Sequence, residues 1–379
     1  PVSRPPSRTA PRTVLLVSSF GAFLAFLDAT VVNVAFPDIR ASFPEADVSG
    51  LSWVLNAYNI VFASFLIVLG RLADLLGRRR VFSSGILVFT FASGWCAVAP
   101  SLDMLVTARV LQALGAAMLV PASLAIIVEA FPPERRAHAI SLWGASAAVA
   151  AALGPPVGGA LVELGGWRWA FLVNLPVGLV AWRLASRTLV ESRAPGRRRL
   201  PDLRGAMLLA GALTSLTLGL VQSHDWGWVD WRTLTALAGA AVLGAGFAAS
   251  SRAHPQPLLD PALLAIRPFR VGNTVTAIAG AGFYAYMLTN VLWLQYVWGY
   301  DILRAGLALV PGAIVAAVVA ARLGPVAQAY GYRRIVVPGA ICWAAAFGWY
   351  VTAVGTTPAF WSQWLPGQVL SGIGVGATL

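Results

Sequence analysis

Residues 70–80 read GRLADLLGRRR, and residues 324–334 read GPVAQAYGYRR. Both segments have two glycines seven positions apart, an alanine at the fourth position, and arginines two and three positions after the second glycine. Each segment lies between two long apolar runs, and its glycines favour a tight turn between helices. The match predicts two parallel halves within one internally repeated membrane protein.

The composition of the whole chain supports a membrane protein. Its 379 residues are 58% hydrophobic and 11% charged, whereas soluble domains are about 25% charged. The apolar runs are continuous and have the length of a helix that crosses a bilayer, about 20 residues. A membrane β-barrel would instead show short segments of alternating polarity. The predicted fold class is therefore an all-α polytopic membrane protein.

Charged or turn-rich breaks divide the apolar runs into twelve predicted spans. The first copy of the repeated turn follows the second span, and the second copy follows the tenth. The spans are residues 14–36, 51–70, 81–99, 104–128, 139–162, 169–186, 205–222, 233–250, 271–292, 303–321, 335–354 and 360–379.

The connections between the spans alternate in charge. The chain has no lysine, so its 27 basic residues are all arginines, and most of them lie in the N-terminal arm and in every second connection. Short basic connections stay in the cytoplasm, so we expect a cytoplasmic N-terminus. The net charge of +12 is thus explained by membrane topology, and no nucleic-acid partner is expected.

Several motifs along the chain resemble those of the major facilitator superfamily. Residues 70–80 resemble its signature loop between helices two and three, and Leu105-x3-Arg109-x2-Gln112-x2-Gly115 resembles its fourth-helix motif. The segment Gly144-x9-Gly154-Pro155-x2-Gly158-Gly159 resembles its fifth-helix antiporter motif. Residues 27–37, LDATVVNVAFP, are similar to the first helix of the fourteen-helix drug:proton antiporters, the EmrB/QacA-like group.

This resemblance implies a major facilitator fold built from two six-helix bundles. In twelve-helix members the second copy of the turn follows helix eight, whereas here it follows the tenth predicted span. Two inserted helices therefore lie between the bundles, and the fourteen-helix pattern implies that this fragment lacks the last two helices. The predicted domains are a cytoplasmic arm (1–13), an N-terminal six-helix bundle (14–186), a basic cytoplasmic linker (187–204), an inserted helix pair (205–250) and an incomplete C-terminal bundle (251–379).

Asp28 lies near the middle of the first predicted span. A charged side chain at that depth costs about 2.5–3.5 kcal/mol on insertion scales, so we expect it to have a function. The helical rise places Asp28 about 21 Å from the cytoplasmic edge, and Arg109 lies at about the same level. A nearby arginine favours the ionised carboxylate, while burial favours the neutral acid. Asp28 and Arg109 are predicted to couple proton movement, and a permanent ion pair between helices one and four is the alternative.

The turn at residues 70–80 is the candidate gating loop. A solvent-exposed ion pair in a turn contributes little stability. The resemblance, however, implies that the Asp and Arg residues of this turn lock the two halves in the outward-open state. The alternative is that these charges only mark topology. Gln328 stands in the second copy where the first has Asp74, which predicts an asymmetric gate. The gating residues are Gly70, Asp74, Gly77, Arg78 and Arg79.

The fifth predicted span is rich in small residues and proline. Small residues let helices approach closely, and proline removes a backbone hydrogen bond and bends a helix. Packing alone would explain the pattern. The resemblance instead implies a pliable helix between the two halves that is typical of exporters, which favours efflux over import. The residues are Gly154, Pro155, Gly158 and Gly159.

Polar side chains inside the early spans are candidates to line a substrate cavity. Each one alone is more often an interhelical hydrogen bond than a ligand contact, so the hypothesis concerns the group. The candidates are Asn33, Asn56, Tyr58, Asn59 and Gln112.

The predicted function is proton-coupled export of small amphipathic organic compounds by alternating access. The alternative is a proton-coupled importer or exporter of a specific metabolite on the same fold. No clustered nucleophile or metal ligands indicate an enzyme, and a chain without lysine has no P-loop for ATP. We expect no metal or other cofactor, with the proton gradient as energy source. The expected partners are the substrate, protons and the lipid bilayer of the bacterial inner membrane, with the protein as a monomer.

Overall fold

The computed structural model of the chain describes residues 11–193, 202–255 and 257–378. Within these ranges the chain is helical and contains no β-strand. The helices are α1 (Pro11–Ser42), α2 (Val48–Leu76), α3 (Arg78–Ala97), α4 (Leu102–Ala130), α5 (Pro133–Gly165), α6 (Trp167–Leu172), α7 (Asn174–Thr188), α8 (Leu203–Trp226), α9 (Trp231–Ala253), α10 (Pro261–Ala265), α11 (Arg267–Leu292), α12 (Ile302–Tyr330), α13 (Arg333–Ala353) and α14 (Leu365–Thr378).

Eleven helical segments in the described ranges are long and apolar enough to cross a membrane. They match the first eleven predicted spans in order, and α6 with α7 together forms the sixth. The twelfth predicted span begins with a π-helical segment, Phe360–Trp364, and continues as the 14-residue helix α14. The prediction of an all-α polytopic membrane protein is confirmed.

The two copies of the repeated turn have the same local geometry. Gly77 ends α2 with a φ of 122°, and Gly331 ends α12 with a φ of 93°. Positive φ favours glycine at a helix end because a Cβ atom is strained there. Each glycine N–H donates to the alanine carbonyl four residues earlier, at 3.0 Å for Ala73 and 2.9 Å for Ala327. The glycines and alanines that the two segments share thus build the same helix end twice.

The chain divides into two compact units. Unit 1 combines the ranges Pro1–Gly21, Pro37–Ile126 and Phe171–Arg267, and unit 2 combines Ala22–Phe36, Ile127–Ala170 and Pro268–Leu379. Because each unit joins separate parts of the chain, the units do not test the domain boundaries predicted along the sequence, which stay predictions. The first ten residues of the predicted arm and residues 194–201 of the predicted linker lie outside the described residues.

In unit 1, α3 packs on α7, α2 packs on α8, and α8 and α9 form a close pair. Glycines bring α3 and α4 into backbone contact, because a Cβ atom on Gly115 would lie 2.6 Å from the backbone nitrogen of Phe89. Phe82 and Phe89 are fully buried beside this contact. Small residues thus set the helix spacing, and large apolar side chains fill the space around it.

In unit 2, α12 packs on α5 and on α14, and α14 also packs on α13. A Cβ atom on Gly306 of α12 would lie 2.7 Å from the carbonyl carbon of Pro155 in α5. Helix α5 contains Pro155 and Pro156 and continues through both to Gly165. Helix α5, the candidate antiporter helix, is therefore one long helix that packs closely against α12.

Candidate functional site

Asp28 lies in the central part of α1 that belongs to unit 2, and its side chain is 2% exposed. The hydroxyl of Thr30, two residues away, donates to the backbone carbonyl of Leu27 at 2.9 Å. Asp28 is therefore a buried acid on a helix that is long enough to span a membrane. The pairing of Asp28 with Arg109 stays a prediction.

The glycines of α5 lie against the same part of α1. A Cβ atom on Gly154 would overlap the side chain of Thr30, and a Cβ atom on Gly158 would lie 3.2 Å from the Cα atom of Val31. Gly159 is also buried. Gly154 and Gly158 thus allow α5 to approach α1 within three residues of Asp28. Whether this helix is also pliable stays a prediction.

Arg109 is buried in unit 1, with 1% of its surface exposed. Its Nε atom donates to the carbonyl of Val54 at 3.1 Å, and an Nη atom donates to Oε1 of Gln112 at 2.6 Å. Its guanidinium carbon lies 4.1 Å from the centre of the Tyr58 ring. Hydrogen bonds and a cation–π contact thus hold the charge in place.

Gln112 connects Arg109 to two further helices. Its amide nitrogen donates to the hydroxyl of Ser93 in α3 at 2.7 Å, and the amide of Asn174 in α7 donates to the same hydroxyl at 3.3 Å. Gln112 itself is fully buried. Together with the bond to Val54 in α2, this network links α2, α3, α4 and α7 inside unit 1.

The five cavity candidates do not form one cluster within a unit. Tyr58 and Gln112 belong to the buried Arg109 network, as described above. Asn56 is half-buried and donates to the hydroxyl of Ser52 at 3.3 Å, while Asn59 is exposed. Asn33 lies in unit 2, is exposed, and donates to the carbonyl of Ala29 at 3.0 Å. Their common role as a substrate cavity stays a prediction.

The gating-loop residues form a compact set of contacts in unit 1. Arg78 bonds to Asp74 through Nε at 2.9 Å, and it donates to the carbonyl of Ala125 in α4 at 3.3 Å. A Cβ atom on Gly70 would lie 2.9 Å from Pro121, also in α4. The turn thus contacts α4 through Gly70 and through Arg78 of the Asp74–Arg78 pair. The side chain of Gln328, in the second copy, lies outside the described side chains.

Sequence reasoning missed Glu191, which follows α7. Its carboxylate accepts the backbone N–H groups of Arg79 and Arg80, each at 3.2 Å, and lies 3.6 Å from the Arg80 guanidinium. Glu191 therefore caps the N-terminus of α3 from a distant part of the chain. Its signal in the sequence is that it is the only acid between residues 164 and 201, a stretch rich in arginine.

A second polar cluster, also missed, lies in unit 2. Tyr286 of α11 bonds to the hydroxyl of Ser371 at 2.7 Å, and the amide of Gln368 donates to the hydroxyls of Tyr286 and Tyr350 at 3.2 and 2.9 Å. Tyr286, Gln368 and Ser371 are all buried. The described residues contain no group of three His, Cys, Asp or Glu side chains that could hold a metal ion.

Comparison with protein families resolves the class of this molecule. The family profile described as Major Facilitator Superfamily matches residues 18–379. The chain belongs to the Major Facilitator Superfamily. The predicted major facilitator fold is thereby confirmed, and the chain is a member of a transporter family and not an enzyme.

Curated relatives of this superfamily member include named export proteins. It is 36% identical over 375 residues to the cephamycin export protein CmcT of Amycolatopsis lactamdurans, covering 98% of this chain and 77% of that relative. It is 32% identical over 325 residues to the tetracenomycin C resistance and export protein of Streptomyces glaucescens, covering 84% of this chain and 60% of that relative. It is 35% identical over 326 residues to the multidrug resistance protein Stp of Mycobacterium tuberculosis, again spanning 60% of the relative.

Solved structures show the same fold at low sequence identity. The proton:xylose symporter XylE matches with a TM-score of 0.62 at 12% identity, covering 97% of this chain and 80% of that chain. The human organic anion transporter MFSD10 matches with a TM-score of 0.61 at 16% identity, covering 99% and 84%. At these identities the likeness concerns the fold alone.

Proposed function

We propose that this chain exports small amphipathic organic compounds from a bacterial cell in exchange for protons. The observation that carries the proposal is the 36% identity, over 98% of the chain, to a protein named for cephamycin export. Two further relatives are named for multidrug resistance and for tetracenomycin C export. Because the chain spans only 60% of the length of those two, the activity of the whole protein is part of the proposal.

Asp28 supplies the proton site in this proposal. A carboxylate is costly to bury in a bilayer while it is ionised, and protonation removes that cost. Asp28 is buried and lies against the tightly packed α1–α5 contact at Gly154 and Thr30. A change in how these helices pack would therefore change the surroundings of the carboxylate directly. Proton binding from the outside and release to the inside would drive the substrate outward.

The proposed orientation follows from charge. The arginine-rich turn at residues 70–80 lies on the cytoplasmic side, and so does the N-terminus, because positive residues are retained there. The protein sits in the bacterial inner membrane, works as a monomer, and needs the bilayer and a proton gradient but no other cofactor. Alternating access then exposes the substrate to the cytoplasm and to the outside in turn.

The test is transport in inside-out membrane vesicles from cells that express the protein. A susceptibility screen with chloramphenicol, tetracycline, puromycin and ethidium first selects the probe. A proton gradient with the vesicle interior acidic is expected to drive accumulation of that probe. Asp28→Asn is expected to abolish accumulation while the protein is still inserted in the membrane at the normal level.

Asp38→Asn is the matched control, because Asp38 lies on the same helix, near its end. It is expected to transport like the unmodified protein. Normal gradient-driven accumulation by Asp28→Asn would remove Asp28 as the proton site. Accumulation only in right-side-out vesicles would show import and overturn the proposed direction.

A further inference from the structure

Two cavities lie along the contact between α3 and α7, and both are within unit 1. The polar cavity is near the start of α3 and has a volume of about 490 Å³. The apolar cavity lies farther along both helices and has a volume of about 550 Å³. Each volume falls within the range of clefts that hold small molecules, about 300–1,000 Å³. The polar cavity is lined in part by Arg79, Arg80, Ser83, Trp182, Ser186 and Glu191.

The two cavities occupy the same face of each helix. On α3, Leu87 lines the polar cavity and Phe91, four positions later, lines the apolar cavity. On α7, Trp182 lines the polar cavity and Leu179, three positions earlier, lines the apolar cavity. Residues three and four apart lie on one side of a helix. The cavities are therefore consecutive parts of one groove, the α3–α7 groove.

The length of this groove matches one leaflet of a bilayer. The helical rise places Phe91 about 17 Å from Arg80 along α3. Half of a hydrocarbon core that is about 30 Å thick is roughly 15 Å. A chain that starts in the polar cavity and ends in the apolar cavity thus has the reach of one acyl chain.

The polar cavity contains two arginines and one acid. An Nη atom of Arg79 donates to the carbonyl of Ser186 at 2.6 Å. The guanidinium of Arg80 lies 3.6 Å from the Glu191 carboxylate, and the Arg80 side chain is still 69% exposed. Two guanidinium groups and one carboxylate give this lining a net positive charge. Charge complementarity therefore favours an anionic group in the polar cavity, as in other basic pockets at the cytoplasmic side of membrane proteins.

A buried hydroxyl in the polar cavity lacks a partner. The Oγ atom of Ser83 makes no hydrogen bond to any described residue, whereas most buried polar groups have one. Ser83 lies three positions after Arg80 and so on the same side of α3. The oxygens of a phosphate accept hydrogen bonds from hydroxyl and guanidinium groups alike. Ser83 and Arg80 together thus indicate a ligand with such an acceptor.

The apolar cavity suits a hydrocarbon chain. All of its lining residues are uncharged, and the Phe91 side chain is 68% exposed. An exposed apolar surface alone would only indicate contact with the bilayer. Here the surface is concave and begins at a basic cavity. Trp182 lines the polar cavity beside this transition, and tryptophan is enriched at the level of lipid headgroups.

We propose that the α3–α7 groove binds an anionic phospholipid, with its phosphate against Arg80 and Ser83 and one acyl chain in the apolar cavity. The polar cavity lies at the same end of α3 as the turn at residues 70–80. The proposed orientation places that turn in the cytoplasm, so the lipid belongs to the inner leaflet. The inference goes beyond the proposed function, because it concerns a lipid and not the exported compound.

The test measures lipid binding to the purified protein in detergent by native mass spectrometry. The probes are dioleoylphosphatidylglycerol and dioleoylphosphatidylcholine, which share their chains and a phosphate and differ in net charge. The glycerol lipid is expected to bind at least about fivefold more tightly, the value of one arginine near a lipid surface. Arg80→Gln is expected to weaken the glycerol lipid about fivefold and to leave the choline lipid within twofold.

Two further variants separate the phosphate from the chain. Ser83→Ala is expected to weaken both lipids about tenfold, because both carry the phosphate that accepts its hydroxyl. Gly94→Leu narrows the apolar cavity and is expected to weaken both lipids at least about fivefold. A Cβ atom on Gly94 would make an ordinary contact with Leu175 at 3.6 Å, so the first carbon of the new side chain fits.

Arg252→Gln is the matched control for charge. Arg252 is exposed in the last turn of α9, also in unit 1, and does not line the groove. It is expected to leave both lipids within twofold. If it weakened the glycerol lipid as much as Arg80→Gln does, general surface charge would explain the binding and the proposal would fall.

Equal binding of the two lipids by the unmodified protein would overturn the proposal, and so would unchanged binding in Ser83→Ala. Glycerol phosphate, which has the phosphate and no chain, is expected to leave the bound lipid in place. Displacement of the lipid by an equal concentration of glycerol phosphate would show a site for soluble phosphates instead. The measurements need neither a substrate nor a proton gradient, so their outcome is independent of the transport test on Asp28.

Discussion

The carboxylate of Glu191 accepts the backbone N–H of Arg79 at 3.2 Å, across 112 positions of sequence. The same carboxylate accepts the N–H of Arg80, and the carbonyl of Ser192 accepts the N–H of Arg78 at 2.9 Å. The first N–H groups of a helix have no partner within it, and negative charge is favoured there. The segment after α7 therefore holds the start of α3, which carries the candidate gating arginines.

Removing this cap should destabilise the protein. Glu191→Ala is expected to lower the free energy of unfolding by about 0.5–2 kcal/mol, the range found for helix N-caps. Glu191→Gln keeps one acceptor oxygen, so its free energy of unfolding is expected to lie between those of the unmodified protein and Glu191→Ala. The measurement is denaturant or thermal unfolding of the purified protein in detergent. Glu163→Ala, at an exposed position near the end of α5, is the control and is expected to change stability by less than about 0.5 kcal/mol.

The two repeated turns offer a matched pair of glycine substitutions. Gly77 and Gly331 both have positive φ, but a Cβ atom on Gly77 would meet the Glu191 carboxylate, whereas nothing lies within 4 Å of one on Gly331. Gly331 has a ψ of 136°, outside the left-handed helical region, so Gly331→Ala should cost about 1–3 kcal/mol of backbone strain. Gly77→Ala should cost a similar strain and, in addition, about 1–3 kcal/mol for the steric overlap. Unfolding measurements on both variants give the difference between the two losses of stability.

A double substitution separates strain from overlap at Gly77. In Gly77→Ala with Glu191→Ala the overlap is gone, so the combined loss should be smaller than the sum of the single losses. A strictly additive result would show that Glu191 and Gly77 do not constrain each other. Transport by Gly77→Ala, measured in the same vesicles, should fall more than transport by Gly331→Ala if the first turn is the gate.

Much of the fold is visible in the sequence because its signals are local. Helix length and apolar continuity predict the spans, and the glycines of the repeated turns predict where α2 and α12 end. The positive φ of Gly77 and Gly331 explains why both copies keep glycine at that place. The twelfth span differs most, since its first residues form the π-helical segment Phe360–Trp364.

The sites are less visible because they depend on contacts between distant residues. Asp28 stands out because a buried acid in an apolar run is costly wherever it packs. Glu191 and Gln368 do not stand out, because their roles come from partners that only the folded chain brings near. Gln112 was a candidate for a ligand contact, and the structure places it among Arg109, Ser93 and their helices.

The glycines of α5 test whether the antiporter motif acts through its contact with α1. A Cβ atom on Gly154 would overlap Thr30, two residues from Asp28, whereas nothing lies within 4 Å of one on Gly144 of the same motif. Gly154→Ala is expected to lower the free energy of unfolding by about 1–3 kcal/mol through overpacking. Gly144→Ala is expected to raise the free energy of unfolding by up to about 1 kcal/mol, because alanine has a higher helix propensity than glycine.

Transport should also be impaired by Gly154→Ala and retained by Gly144→Ala. Gly154→Ala displaces α1 next to Asp28 and is expected to reduce gradient-driven accumulation at least tenfold, while Gly144→Ala keeps it within twofold. Adding Thr30→Ala to Gly154→Ala removes part of the overlap, so it should restore part of both stability and transport. If Gly144→Ala impaired transport as strongly as Gly154→Ala, the bending of α5 itself, and not its contact with α1, would be the property that the motif provides.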